Sequence, residues 1–394
     1  MKPVIIIGTG LAGYTLAREF RKLDKTTPLF ILTADEGGFY SKPMLSNAFA
    51  QGKGADQLVT QSAVQMAAQL SATIMTGTRV LRVDTQEKSV ETSSGTFPYD
   101  KLVLATGAQP IRLAINGDAA REVASVNNIN DYALFRKRIA GIGNHARIAI
   151  LGAGLIGCEF ADDLAGARHA VTVIAPNERP LAALAAPALS HGLGAALAQR
   201  GVQFCFGTTV TRVDRRNDTL CVALADGRSL EADLVLSAVG LRPDLRLAHA
   251  AGLHAGRGIV VDPQGRTSAP DVFALGDCAE YTTDSGTRLL PYVAPLMTAA
   301  RAIARTLTGE PTDIELKPSP VIVKTLSFPL ALMPPPVSPK ADGAWHETQY
   351  SERIVCRYYN GEGTMVGFGV APQDANIRQV LMAELGSNRV SLAA

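Results

Sequence analysis

The chain carries one short glycine pattern twice, in a context that leaves few folds open to it. Gly8, Thr9, Gly10, Leu11, Ala12 and Gly13 follow the apolar run Val4–Ile7. Gly152, Gly154 and Gly157 follow the apolar run 148–151. In both copies a strand-like run precedes the pattern and a helix-like run follows it, which is the setting in which G-x-G-x-x-G binds a dinucleotide. The first glycine permits a tight turn and the second lets a pyrophosphate approach the backbone. The third lets helix and strand pack closely, with the phosphates on the helix N-terminus. One copy is a weak signal. Two copies, both correctly placed, argue for two dinucleotides, and the simplest enzyme that holds two passes a hydride between them.

Hydrophobic periodicity extends each pattern into a βαβ unit. The first reads as strand 3–7, helix 11–23 and strand 28–33, and the second as strand 146–151, helix 155–165 and strand 170–175. Short strands follow each unit, near 79–84 and 88–92 in the first and near 209–214, 220–225 and 228–230 in the second. A return strand closes each, at 101–105 and 233–239. This duplication predicts an α/β fold with two related nucleotide-binding domains. The last stretch, 312–394, differs. It is Pro-rich at Pro329, Pro334, Pro335, Pro336 and Pro339, with strand-like runs at 320–325, 353–359 and 364–370 and a closing helix near 374–384. It reads as a small α+β domain with an exposed Pro-rich loop.

Composition narrows the function by exclusion. A net charge of +2 over 394 residues implies no broad affinity for nucleic acid or membrane. The N-terminus lacks the features of a signal peptide, and no uncharged run is long enough to span a bilayer. Cys158, Cys205, Cys221, Cys278 and Cys356 form no close pair, so neither a metal site nor an iron–sulfur site is expected, and a reducing cytoplasm suits them. No nucleophile or acid–base triad is visible, so no catalytic side chain is assigned. Ser190–His191 reads as helix surface.

Five motifs together resemble the FAD-dependent pyridine nucleotide–disulfide oxidoreductase superfamily. They are G-T-G-L-A-G at 8–13, L-A-T-G at 104–107, G-A-G-L-I-G-C-E at 152–159, A-V-G-L-R-P at 238–243 and A-L-G-D-C-A at 274–279. The resemblance implies two Rossmann-like domains, for FAD and for NAD, with the FAD domain interrupted. The expected division is 1–109 (FAD, first part), 110–241 (NAD), 242–311 (FAD, second part) and 312–394 (C-terminal α+β domain). One departure excludes a thiol relay: where the superfamily's disulfide reductases carry C-x-x-x-x-C, residues 40–46 read Y-S-K-P-M-L-S, with no cysteine. That segment, with 8–14, 151–160 and 320–325, is most similar to the rubredoxin reductase branch.

What the resemblance implies for single residues is as follows. Asp277 binds the ribityl–phosphate region of FAD, and Thr33 and Ala34 lie at its ribose. Val80 and Ala105 meet it through the backbone, and Val293 faces the flavin pyrimidine. Glu159 lies near the flavin and the nicotinamide, and Gly240 belongs to the motif that closes the NAD domain. Lys42 is expected beside the flavin, where fixed positive charge favours the reduced anion, paired with Glu159. Lys324 is a second lysine aimed there. Asp35 falls where an acid commonly binds ribose, two positions late.

The choice of nicotinamide stays open on the residues alone. After strand 170–175 the expected acid is replaced by Ala175, Pro176 and Asn177, with Glu178 favouring NADH and Arg179 favouring NADPH. The resemblance favours NADH. It also implies the acceptor, rubredoxin or a similar acidic one-electron iron protein, because a flavin takes two electrons as a hydride and releases them singly; a reductase of a ferredoxin or other iron–sulfur carrier, or a redox-sensing flavoprotein, is the alternative. Lys42, Lys53, Arg18 and Arg21 are the expected basic ring for that partner.

Overall fold

A computed structural model describes residues 1–283, 286–336 and 342–388. Pro339 lies outside the described residues. The chain divides into two compact units, one of residues 1–42, 56–111 and 241–317 and the other of residues 43–55, 112–240 and 318–394.

In the first unit, strand Val4–Ile7 is central to a five-stranded sheet. It pairs in parallel with Leu29–Leu32 on one side and Lys101–Leu104 on the other. Thr73–Met75 and Val272–Ala274 form the two edges. The central strand is buried at all four positions, which is why it reads as an unbroken apolar run rather than an alternating one. Helix Leu11–Leu23 turns Tyr14, Leu16, Ala17 and Phe20 into the core and packs beside helix Val293–Leu307. An antiparallel three-stranded sheet, Val80–Asp84, Ser89–Thr92 and Gly95–Pro98, is inserted before the return strand. Its third strand carries no apolar alternation and so leaves no periodic signal.

The second unit repeats the plan. Strand Arg147–Leu151 pairs in parallel with Ala170–Ala175 and Leu234–Ser237, and Gln203–Phe206 lies beyond Ala170–Ala175. The antiparallel sheet Val210–Arg216, Thr219–Leu224 and Ser229–Ala232 is inserted at the corresponding point. Helix Pro187–Gln199 buries Leu189, Leu193 and Leu197 in the core of this unit. It also lies against the C-terminal sheet, where Phe328 sits close over Gly192 and Leu189 over Gly369. Covered on both sides, Ser190 is fully buried, contrary to its expected place on a helix surface, while His191 is exposed.

The C-terminal segment forms an antiparallel sheet of five strands, Val321–Val323, Leu330–Met333, Met365–Ala371, Ile354–Tyr359 and Ala344–Gln349, closed by helix Ala375–Glu384. Two of these strands, Leu330–Met333 and Ala344–Gln349, were hidden by the prolines between them. No described helix is long and apolar enough to cross a membrane.

Candidate functional site

Both fingerprints close as their glycines require. Gly8 has φ +116°, and a Cβ there would lie 2.3 Å from the Ala105 carbonyl oxygen. A Cβ on Gly13 would lie 2.0 Å from the Gly8 carbonyl oxygen. In the second copy Gly152 has φ +104° and a hypothetical Cβ 2.7 Å from the Ala238 oxygen, and Gly157 again meets the Gly152 oxygen at 2.0 Å. The middle glycines differ from these. A Cβ on Gly10 or Gly154 would meet nothing within 4 Å. Packing therefore fixes the first and third glycines and leaves open space at the second, where a phosphate would approach.

The helix starts fit an anion as well. Gly10 and Gly154 are the N-cap residues of helices Leu11–Leu23 and Leu155–Gly166, neither cap supplies a side-chain acceptor, and neither first turn holds an acid. By contrast, helix Ala63–Leu70 is closed by a capping box at Ser62, and Ile129–Ile142 by Asn128. Unsatisfied N–H groups at an uncapped helix start suit a pyrophosphate.

Around the first fingerprint the side chains form one hydrogen-bonded cluster. Thr9 and Thr33 donate to Asp35 Oδ1 at 3.3 and 2.6 Å, and the Gly37 N–H donates to the same oxygen at 2.9 Å. This holds Asp35 in a fixed orientation beside exposed Ala34. The loop 274–279 arrives beside the fingerprint because Val272–Ala274 pairs with Lys101–Leu104. Gly276 has φ +77° and lies so close to Ala12 that its absent Cβ would clash at 2.8 Å. Asp277, next in the chain, receives Lys42 Nζ at 3.8 Å. Val293 opens its helix 46 % exposed, an aliphatic side chain that the core does not take up. Ala105 is buried and its N–H donates to Ile7, while Val80 sits half-buried at a register shift in its sheet.

Around the second fingerprint the chemistry differs. Asn177 occupies the place of Asp35: Gly207 N–H donates to the Asn177 carbonyl as Gly77 N–H does to that of Asp35. Ala153 and Ala175 stand where the first copy has Thr9 and Thr33. Glu178 is exposed, and Arg179 carries a buried Nε with no hydrogen-bond partner, an orphaned donor in a loop expected to meet a ribose. Gly240, at φ +106°, ends the return segment of this unit as Gly107, at φ +69°, does in the first.

Glu159, only 3 % exposed, is held on three sides within the second unit. Lys324 Nζ lies 2.5 Å from Oε2, Ser46 Oγ donates to the same oxygen at 2.5 Å, and the Lys324 N–H donates to Oε1 at 3.0 Å. The cation on Glu159 is thus Lys324 and not Lys42, whose carboxylate partner is Asp277. Sequence separation hid the pairing, since the partners stand 165 positions apart.

Arg18 and Arg21, expected in a docking ring, are structural. Arg18 stacks over Phe39 at 4.2 Å and donates to Gln61, and Arg21 donates to the carbonyls of Leu70, Asp24 and Ser71. Arg21 thereby caps the end of helix Ala63–Leu70, a task that basic residues suit. The two motif cysteines are chemically quiet. Burial, helped by the Glu159 charge, pushes the Cys158 thiol up to about 12, and burial raises Cys278 as well. Among the described residues no cluster of His, Cys, Asp or Glu could hold a metal ion.

Residues 2–304 match the pyridine nucleotide-disulphide oxidoreductase family, and residues 313–385 match the rubredoxin binding C-terminal domain. The chain is 42% identical to the rubredoxin-NAD(+) reductase of Alcanivorax borkumensis, over 98% of this chain and 99% of that protein. It is 38% identical to the nitric oxide reductase FlRd-NAD(+) reductase of Aeromonas hydrophila, over 98% and 96% of the two chains. Among solved structures, putidaredoxin reductase in its covalent complex with putidaredoxin is similar over 100% of this chain and 96% of that one, with a TM-score of 0.87 and 25% identity. The chain thus belongs to the pyridine nucleotide-disulphide oxidoreductase family, with a rubredoxin binding C-terminal domain at its end.

Proposed function

We propose that this protein is an NADH-dependent flavoprotein reductase that delivers electrons singly to rubredoxin in the cytoplasm. The observation that carries the reading is the pair of open middle glycines, Gly10 and Gly154, each on an uncapped helix, in a chain that ends in a rubredoxin binding segment. FAD belongs at the first fingerprint, on Gly8–Gly13, Thr33, Ala34, Asp35 and Asp277, within a FAD domain of residues 1–109 and 242–311. NADH belongs at the second, on Gly152, Gly154, Gly157 and the loop 175–179, within residues 110–241. The C-terminal domain, 312–394, carries Lys324, the partner of Glu159. Bound FAD would supply the conversion of a hydride into single electrons.

This chain's own residues supply position and field. Backbone N–H groups take the phosphates, Asp35 takes ribose hydroxyls, and Lys42 sets positive charge where a reduced flavin needs it. Relatives named for FlRd favour, as a second reading, a flavorubredoxin acceptor with the same electron path.

The test is anaerobic turnover of the purified protein with NADH and with NADPH, comparing rubredoxin with a plant-type ferredoxin. Rapid reduction of rubredoxin by NADH is expected. Bleaching of the flavin by NADH without reduction of rubredoxin would leave the nucleotide sites standing and remove the acceptor.

A further inference from the structure

Helix Leu155–Gly166 buries three carboxylates, Glu159, Asp162 and Asp163, which are 3, 2 and 4 % exposed. A dinucleotide-binding helix needs none of them, since the phosphates are met by backbone N–H groups, and each buried charge is costly unless it is paired or hydrogen-bonded. Two of the three perform the same unusual task. Asp162 Oδ2 accepts the consecutive N–H groups of Leu326 and Ser327, at 2.5 and 3.3 Å. Asp163 accepts the consecutive N–H groups of Phe49 and Ala50, at 2.7 and 2.9 Å, one on each oxygen.

The segment that Asp163 holds is residues 43–55. It follows Lys42 directly in the chain, yet it belongs to the second unit. It lies there as a strap. Phe49 is set edge-on to Phe135 and His169 with the Arg136 guanidinium 4.5 Å over its ring. Tyr132 donates to the Lys53 carbonyl at 3.0 Å, and Leu45, Ser46 and Ala48 are buried. The strap also carries Ser46, which donates to Glu159 one helical turn before Asp163. Glu159 and Asp163 stand four residues apart on one helix face and hold successive parts of one segment.

We propose that Asp163 is the clasp of this strap, a positioning residue that seats residues 43–55 as one piece and thereby holds Ser46 against Glu159.

The clasp has a built-in sensitivity. Burial raises the Asp163 carboxyl to about 6, against the opposing pull of the Ala50 and Phe49 N–H groups. Opening the strap returns the carboxyl to water and towards its ordinary value of 3.8. The closed strap therefore binds the proton more tightly than the open one. Its seating is firmest at acid pH and is lost progressively as pH rises from about 4 to 6. Linkage then makes opening roughly ten-fold more frequent at pH 7 than at pH 5. The charged and titratable groups facing the carboxyl are Glu159 and Asp162 on its own helix, Arg136 and Tyr132 on Ile129–Ile142, and His169 with His145 beyond the helix end. Arg200 reaches Asp162, and Lys53 lies in the strap. Of these, His169 is held below its usual value by burial and by His145.

The experiment is amide hydrogen exchange on the full-length holoprotein between pH 5 and 7, corrected for intrinsic exchange and read on the peptides covering 43–55. The wild type should open about ten-fold more often at pH 7. Asp163→Asn should abolish that step, whereas Asp162→Asn should keep it and loosen 326–327 instead. His169→Gln should keep it too. A step that survives Asp163→Asn, or disappears in His169→Gln, overturns the proposal. Should Asp163→Asn fail to fold, the wild-type series decides alone, and a flat series overturns it.

Discussion

The two fingerprint units share a backbone plan and part company in their side chains. Val4–Ile7 and Arg147–Leu151 hold the same place among their parallel neighbours, both return segments bring an alanine, Ala105 or Ala238, against the first glycine, and both inserts are antiparallel sheets of three strands. Around that shared frame the first unit places Thr9, Thr33 and Asp35 in one hydrogen-bonded cluster, and the second places Ala153, Ala175 and Asn177. The backbone thus provides what any dinucleotide requires, room for phosphates at an uncapped helix. On the proposed function, the side chains would set how firmly each ribose is held, with a resident cofactor at the first site and an exchanging one at the second.

The strongest way to break this comparison is through the glycines. Gly13→Ala and Gly157→Ala each place a methyl 2.0 Å from a carbonyl oxygen and should cost about 3 kcal/mol or more, read as a fall in thermal midpoint. Gly10→Ala and Gly154→Ala meet nothing in the protein and should leave that midpoint almost unchanged in the ligand-free state. They should still weaken binding, Gly10→Ala by lowering the flavin-to-protein absorbance ratio and Gly154→Ala by raising the KM for the nicotinamide with the flavin retained. Loss of the fold in Gly10→Ala, or full flavin binding in it, would refute the assignment of open space to the phosphates.

The next contrast is between the two lysine pairs. Lys324 meets a carboxylate that is 3 % exposed, whereas Lys42 and Asp277 are 35 and 24 % exposed at 3.8 Å. Lys324→Met leaves Glu159 buried and without its cation, and should destabilise the protein by roughly 3–5 kcal/mol. Lys42→Met should cost no more than about 1 kcal/mol, because solvent already screens that pair. Chemical unfolding of the two variants side by side tests this. Equal midpoints would mean that Glu159 is stabilised chiefly by Ser46 and the Lys324 backbone.

These pairs also mark where the sequence was legible and where it was not. The paired βαβ units could be read because glycine spacing and buried apolar strands are local signals, and helix Leu11–Leu23 falls at its expected bounds. The positions of Gly8, Gly10 and Gly13 and of their counterparts follow from the same local chemistry. The Lys324–Glu159 pair and the Asp163 clasp could not be read, because each joins residues more than a hundred positions apart and a buried carboxylate looks like any surface acid in a string of letters. The strap 43–55 was misleading for a related reason: it is contiguous in sequence with one unit and packed in the other. Arg18 and Arg21 look like a basic patch until their carbonyl and aromatic partners are in view. The C-terminal strands Leu330–Met333 and Ala344–Gln349 were obscured by the prolines that separate them.

The smallest expected effect concerns Asn177, and it sharpens the comparison most finely. Asn177→Asp supplies the second unit with the carboxylate that Asp35 gives the first. A carboxylate there accepts from a ribose 2′-hydroxyl and repels a 2′-phosphate, so the ratio of kcat/KM for NADPH to that for NADH should fall about ten-fold, equivalent to about 1.4 kcal/mol. The single change should fall short of a fully built ribose site. In the first unit Asp35 is held by two threonine hydroxyls and the Gly37 N–H, whereas the neighbours of position 177 are buried alanines with no hydroxyl to donate. Adding Ala153→Thr and Ala175→Thr should therefore enlarge the discrimination beyond that of Asn177→Asp alone. If the triple variant discriminates no better than the single one, orientation by the threonines is not what distinguishes the two sites, and Glu178 already provides the ribose contact in the wild type.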